Sequence, residues 1–334
     1  MEPNSPHSEA IEKRLTTFPS PYDQIVPEFF ASYRRVAHRH KTPEAEVMRC
    51  FSTFLDLMEA QLTTPFDFEP YHRRITAPFD YYRFGVDFLL PLVDLPHSTI
   101  AGKDHFAAIT EQLKAGDNVI FLANHQIEGD PQAMSILLED DYPFVEETIF
   151  VAGERVVTDP LAAPFSMGRN LLCIYSKRYI DAPPERKVAK QEHNRRTMQR
   201  MSELLVEGGH SIYVAPSGGR DRRGPDGRIE IAPFDPHSVE MFHLMAKKSK
   251  RKTHFYPLAL STYDLLPPPQ TIQVELGEAR TTEGGAIHIA CGQEIDLEAF
   301  PGCEAPYKQA RRTARATWVH SLVEQAYRNF PLEK

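Results

Sequence analysis

His125 and Asp130 stand five positions apart in Ala123-Asn124-His125-Gln126-Ile127-Glu128-Gly129-Asp130-Pro131, close enough to meet if the chain turns between them. An imidazole can take a proton from a hydroxyl near neutral pH, and a carboxylate on its other nitrogen sets the tautomer and stabilises the imidazolium. The pair therefore suits a general base with its orienting partner. Asp130 has a second sufficient role, because aspartate before proline often caps and starts a helix. Both readings stay open at this point. A metal is not expected, since this spacing is unusual for zinc and no other His/Cys cluster lies nearby.

A second group of chemical residues follows in Pro216-Ser217-Gly218-Gly219-Arg220-Asp221-Arg222-Arg223-Gly224. The glycines let backbone approach a ligand, and guanidinium groups at alternate positions of an extended loop can reach one phosphate from the same side. The alternative is a plain turn whose arginines are solvated or paired with Asp221 and Asp226. The segment lacks the Gly-Lys-Ser/Thr of a nucleotide P-loop, and Ser217 follows Pro216 where a nucleophile elbow needs glycine spacing, so covalent serine catalysis is disfavoured. Lys177 and Arg178, after the run ending at Ile174, could add positive charge to the same place or be ordinary strand-end charges. The basic stretches at 186–200 and 247–252 read as solvated faces, or as docking surfaces for an acidic carrier protein.

These residues need a scaffold. Asn118-Val119-Ile120-Phe121-Leu122-Ala123 is a short apolar run suited to a strand buried on both faces, which puts His125 just past a strand end, where open α/β sheets usually place chemistry. Similar runs lie at 148–152, 171–175, 211–215, 255–260 and 271–276. Helical patterns fall between them at 104–115, 131–139, 184–208 and 236–249, with a last one near 304–329. This alternation predicts an α/β fold, a sheet covered by helices. Residues 8–62 carry only helical spacing, with Ile11, Leu15 and Phe18, then Ile25, Phe29 and Tyr33, then Val47, Phe51, Phe54 and Met58. A small helical bundle domain is expected over 1–66 and the α/β domain over 67–334, with the boundary in the proline-marked segment 63–70, followed by a helix at about 79–90.

Bulk properties narrow the function classes. A net charge of −8 over 334 residues argues against general nucleic-acid binding. Cys50, Cys173, Cys291 and Cys303 form no C-x-x-C pair, which fits reduced thiols in a cytosol or organelle matrix. The start Met1-Glu2-Pro3-Asn4 shows neither a signal nor a transit pattern, and no apolar run is long enough for a membrane span. The expected compartment is a cytosol or an organelle matrix.

Together, His125-Gln126-Ile127-Glu128-Gly129-Asp130 and Ala215-Pro216-Ser217-Gly218-Gly219-Arg220-Asp221-Arg222 resemble the H-x4-D and phosphate-binding motifs of the glycerolipid acyltransferases. The closer likeness is to the soluble, plastid-type glycerol-3-phosphate acyltransferases, whose further marks appear as Phe150–Gly153, Asp159–Leu161, Pro164–Leu171, Ala232–Asp235 and Phe255–Leu260. That resemblance runs from about Pro65 to Gly277. It implies a mixed sheet covered by helices, an amino-terminal helical domain, and acyl transfer from acyl carrier protein, or coenzyme A, to the sn-1 hydroxyl of glycerol 3-phosphate. It also implies that His125 takes the hydroxyl proton and Asp130 orients it. Arg220 and Arg222, joined by Arg178 and Lys177, would bind the phosphate, with no cofactor beyond the thioester co-substrate and at most transient contact with a membrane surface. Plant members place a Lys-His pair where this chain has Arg178 and Tyr179; arginine keeps the charge and Tyr179 does not replace an imidazole. Since a plant precursor of this family would carry a transit peptide, the resemblance implies bacterial cytoplasm, with plastid stroma as the alternative for a mature chain. The competing expectations are a lysophosphatidate acyltransferase and a catalytically silent binder of phosphate metabolites or carrier protein.

Overall fold

In the computed structural model, which describes residues 6–177, 180–269 and 277–332, the run Asn118–Ala123 is a strand with every residue buried. Its side chains alternate between two cores: Ile120 and Leu122 face one, Val119 and Phe121 the other. Both faces are covered, which is why the run is continuously apolar. Each of its large side chains contributes roughly 2 kcal/mol by leaving water.

The chain orders its elements as α1 (Pro6–Leu15), α2 (Tyr22–Arg39), α3 (Glu44–Thr63), β1 (Tyr71–His72), α4 (Tyr81–Leu89), β2 (Thr99–Ala101), α5 (Lys103–Lys114), β3 (Asn118–Ala123), α6 (Asp130–Leu138), β4 (Ile149–Gly153), α7 (Arg155–Thr158), α8 (Ala163–Ser166), β5 (Asn170–Ile174), α9 (Lys187–Glu207), β6 (Ser211–Val214), β7 (Arg222–Arg223), β8 (Ile229–Glu230), α10 (Pro236–Ser249), β9 (Thr253–Ser261), β10 (His288–Cys291) and α11 (Lys308–Arg328). Among the described residues an eight-stranded sheet runs β1-β5-β4-β6-β3-β9-β10-β2. The strands from β5 to β9 are parallel, while β1 pairs antiparallel with β5 and β10 antiparallel with β9. The sheet is therefore mixed. α5 and α6 pack on one face through Phe106, Ile109, Met134 and Leu138, and α9, α10 and α11 cover the other through Met201, Leu205, Phe242 and Val319.

The expected strand at 118–123 and helix at 236–249 match the observed bounds, and the other paired runs differ by a few residues at their ends. Strands β1, β2 and β10 had no recognisable pattern, because they are short and lie at or beside the sheet edges. The expected strand at 271–276 lies outside the described residues.

The apolar positions of α1, α2 and α3 are buried, and their core does not stop at residue 66. Phe29, Phe51 and Phe54 meet Phe88 of α4 at ring distances of 6.0, 6.0 and 5.3 Å, and Phe54 meets Phe165 of α8 at 5.7 Å. The same cluster takes in Ile127 and Ala133, so this helical layer leans on the segment between β3 and α6. No helix among the described residues is long and apolar enough to cross a membrane.

Candidate active site

β3 ends at Ala123, and the chain then makes one loop before α6. Inside that loop His125 Nδ1 lies 2.7 Å from Asp130 Oδ2. A carboxylate can only accept, so Nδ1 carries the proton and Nε2 is left as the basic nitrogen. Nε2 has no protein partner among the described residues. The imidazole is 29 % exposed, whereas Asp130 is 1 % exposed. Asp130 also accepts from the backbone N–H of Gln126 at 2.9 Å, that of Ile127 at 3.3 Å and the hydroxyl of Thr262 at 2.6 Å. These bonds hold the carboxylate still behind the ring.

The capping expectation is corrected here. Gly129 is the capping residue of α6, and Asp130 is already helical; its carboxylate turns back onto the preceding loop. A Cβ at Gly129 would lie 2.7 Å from Leu89 Cδ2, so a larger residue there requires Leu89 to shift. Asp130 is thus free of the helix end and committed to His125 and its loop.

The neighbours of His125 stitch the site to β9. Asn124 donates to the carbonyl of Leu260 at 2.9 Å and accepts from its N–H at 2.8 Å, while Gln126 accepts from the N–H groups of Thr262 and Tyr263 at 2.7 and 3.0 Å. The parallel pairing of β3 with β9 makes this geometry possible.

β6 delivers the second loop beside the first. Gly218 adopts φ +65°, closing a turn in which its N–H donates to the carbonyl of Ala215 at 3.1 Å. Asp221 is fully buried and does not pair with the arginines. Its N–H donates to the His125 carbonyl at 2.7 Å, and its carboxylate accepts from Asn124 at 2.8 Å, Gln126 at 3.3 Å and the Ala232 N–H at 2.9 Å. Burial pushes its pKa up to about 6, against those hydrogen bonds and the charge of His125.

The two arginines differ. Arg220 donates through one nitrogen to both oxygens of Glu278, at 2.6 and 2.7 Å, and lies 3.8 Å from Glu128. Burial opposes its charge, but Glu128 and Glu278 more than offset this and its pKa is raised. Glu128 in turn pairs with Arg280; burial works against its ionisation, yet Arg280, Arg220 and His125 hold its pKa below the usual value. Arg222 has no carboxylate partner among the described residues and donates only to the carbonyl of Asp221, at 3.1 Å. Burial and the neighbouring Arg220 lower its pKa. An unpaired guanidinium crowded by another cation is prepared to receive an oxyanion. Arg223 goes elsewhere, to Asp264 at 3.1 Å.

Lys177 is 79 % exposed and bonds Asp235 at 3.1 Å, whose N–H donates to the carbonyl of Pro216 at 3.2 Å. It stands beside the loop without being enclosed by the site. Arg178 and Tyr179 lie outside the described residues. On α9, Arg195 and Arg200 are paired with glutamates of the same helix, as expected of a solvated face.

Asn124, Gln126, Glu128, Thr262, Glu278 and Arg280 have no role in the sequence reading, and Asp221 enters it only as a possible partner of the arginines. Glu128 and Asp221 sit inside the two motifs and were legible there as extra charges. Glu278 and Arg280 lie in no helix or strand and carry no local signal.

A family model described as Acyltransferase matches residues 105–261. A chloroplastic glycerol-3-phosphate acyltransferase ATS12 of Cucurbita moschata is 39 % identical over 89 % of this chain and 65 % of its own length. ATS11 of the same plant is 37 % identical over 90 % of this chain and 68 % of its own. A chloroplastic glycerol-3-phosphate acyltransferase of Carthamus tinctorius is 36 % identical over 94 % and 69 %. The chain therefore spans about two thirds of the length of these curated relatives. A 1-acyl-sn-glycerophosphate acyltransferase structure from Thermotoga maritima covers 90 % of this chain and 89 % of its own at 16 % identity and a TM-score of 0.39, too distant to carry an argument. With relatives this similar along most of the sequence, the chain belongs to the glycerol-3-phosphate acyltransferase family.

Proposed function

We propose that this chain transfers a fatty acyl group from a thioester to the sn-1 hydroxyl of glycerol 3-phosphate. The observation that carries the reading is the 2.7 Å His125–Asp130 bond, which leaves Nε2 without a protein partner among the described residues, in a loop bonded directly to the arginine loop. The names of the relatives support the same acceptor.

In the mechanism, Arg222 and Arg220 hold the phosphate and present the far hydroxyl to Nε2. The hydroxyl oxygen attacks the thioester carbonyl as its proton passes to Nε2, and Asp130 stabilises the imidazolium. The new C–O bond forms, the C–S bond breaks, and the proton returns from Nε2 to the departing thiolate. A thioester is already activated, so no acyl-enzyme is required. The chain supplies proximity and a base.

Within the same reading, acyl carrier protein is the donor, Lys177 and Arg178 lend positive charge to the phosphate, Lys177 from outside its direct contacts, and the compartment is an aqueous stroma or its bacterial counterpart. The chloroplastic relatives favour the stroma. The helical part, 1–66, and the acyltransferase part, 67–334, are taken as one cooperative unit, a view supported by their shared aromatic core.

The test is a matrix of donors and acceptors read by thiol release. Release from acyl carrier protein thioester that requires glycerol 3-phosphate, with a 1-acyl product, is the expected result. Release that is indifferent to the acceptor, or that prefers lysophosphatidate, overturns it.

A further inference from the structure

The two motif loops are bonded to each other, and the pattern of bonds suggests more than support. Asp221 lies between Arg220 and Arg222, yet every bond of its carboxylate goes away from them. Its N–H donates to the His125 carbonyl at 2.7 Å, and its side chain accepts from Asn124 at 2.8 Å and Gln126 at 3.3 Å, the residues on either side of His125. Gln126 then donates its N–H, at 2.9 Å, to the Asp130 oxygen that accepts from His125 Nδ1. On the other side, Arg222 donates to the Asp221 carbonyl at 3.1 Å and is otherwise without a carboxylate partner among the described residues. Hydrogen bonds joined through Asp221 and Gln126 thus connect the Arg222 guanidinium to the base.

We infer that Asp221 is a positioning residue that makes phosphate binding act on catalysis: an oxyanion taken by Arg222 seats Asp221, and Asp221 seats the His125 loop. The inference rests on the acyltransfer reading above. Its physical basis is that the phosphate does not react, so its binding energy speeds the reaction only when it is coupled to the geometry at the reacting centre. Arg220, already held by Glu278, is the fixed half of the clamp, and Arg222 is the half that responds. An anchor without this coupling would lower KM and leave the rate on a phosphate-free acceptor untouched.

Cutting the acceptor in two separates the possibilities. The purified chain is given acyl carrier protein thioester with glycerol, with and without inorganic phosphite, beside a control with glycerol 3-phosphate. No transfer to glycerol 3-phosphate would sink the functional reading, and this inference with it. Given that transfer, phosphite is expected to speed glycerol acylation by about tenfold or more, and the factor should fall below about threefold in Asp221→Asn. With glycerol 3-phosphate the variant should lose kcat more than it raises KM. A purely structural role predicts that both glycerol rates fall together with the phosphite factor kept, and that result overturns the inference, as does a wild type that phosphite does not activate. Should Asp221→Asn fail to fold by circular dichroism, hydrogen exchange on the wild type decides. Phosphite is expected to slow exchange over both 216–224 and 118–130; protection confined to the arginine loop overturns the coupling.

Discussion

The His125–Asp130 pair and the Arg220–Glu278–Glu128–Arg280 cluster both set nitrogen donors against buried or half-buried carboxylates, but they are assembled differently. The pair spans five residues and closes within one loop. The cluster brings together residues 58 apart, such as Arg220 and Glu278, through the packing of several loops over the end of the sheet. A local pair survives as long as its loop does. A distant cluster survives only as long as the fold does, and it leaves buried charge behind when one member is lost.

The sharpest way to separate the two is to remove one member of each. His125→Ala is expected to cost about a thousandfold in kcat/KM while leaving the unfolding transition nearly in place, because the ring is partly exposed and the buried Asp130 keeps its bonds from Gln126, Ile127 and Thr262. A folded His125→Ala enzyme at full rate would remove the base from the mechanism.

Arg220→Ala should instead lower stability, by about 3 to 5 kcal/mol in urea unfolding, since Glu278 would be left buried and unpaired. Arg222→Ala offers the contrast within the arginine loop. It breaks no ion pair, so stability should hold, while KM for glycerol 3-phosphate rises about ten- to hundredfold. Equal effects on both measurements would mean that the two arginines share one role.

Asp221 sharpens the comparison through pH. Its folded pKa of about 6 lies above its ordinary value of 3.8, so the folded state binds this proton more tightly than the unfolded chain does. Its contribution to stability is therefore fully present below about pH 4 and is lost as pH rises through 6, a span worth on the order of 3 kcal/mol. The stability of the wild type relative to Asp221→Asn should fall over that window in urea titrations. A difference that is flat with pH would show that the carboxylate is not held against its charge.

The smallest effect is expected at Lys177. Its bond to Asp235 is exposed, so Lys177→Ala should change stability by less than about 1 kcal/mol and KM for glycerol 3-phosphate by no more than about threefold. A larger rise in KM would move this lysine into the phosphate site.

Much of this molecule can be read without its coordinates. β3, α6 and α10 are legible because their patterns are written in the order of the chain: an unbroken apolar run in β3, whose two faces are both covered, and apolar positions three and four apart in the helices. The dyad is legible for the same reason, since five residues and one turn leave little freedom in how the groups meet. The arginine loop is legible as chemistry, though the sequence does not tell Arg220 from Arg222. Helix 1–3 positions such as Phe29, Phe51 and Phe54 are legible as buried, but not as packed against Phe88 and Phe165.

What the tertiary structure alone decided is which charges are already taken. Glu278 and Arg280 reach the site from far along the chain, Asp221 turns away from its neighbours to hold Asn124 and Gln126, and Asp130 leaves the capping of α6 to Gly129. These pairings depend on which loops share the end of the sheet, and thus on strand order rather than on local sequence. The physical reason is the cost of burying an unpaired charge, which makes distant partners find one another only once the fold has removed the water between them.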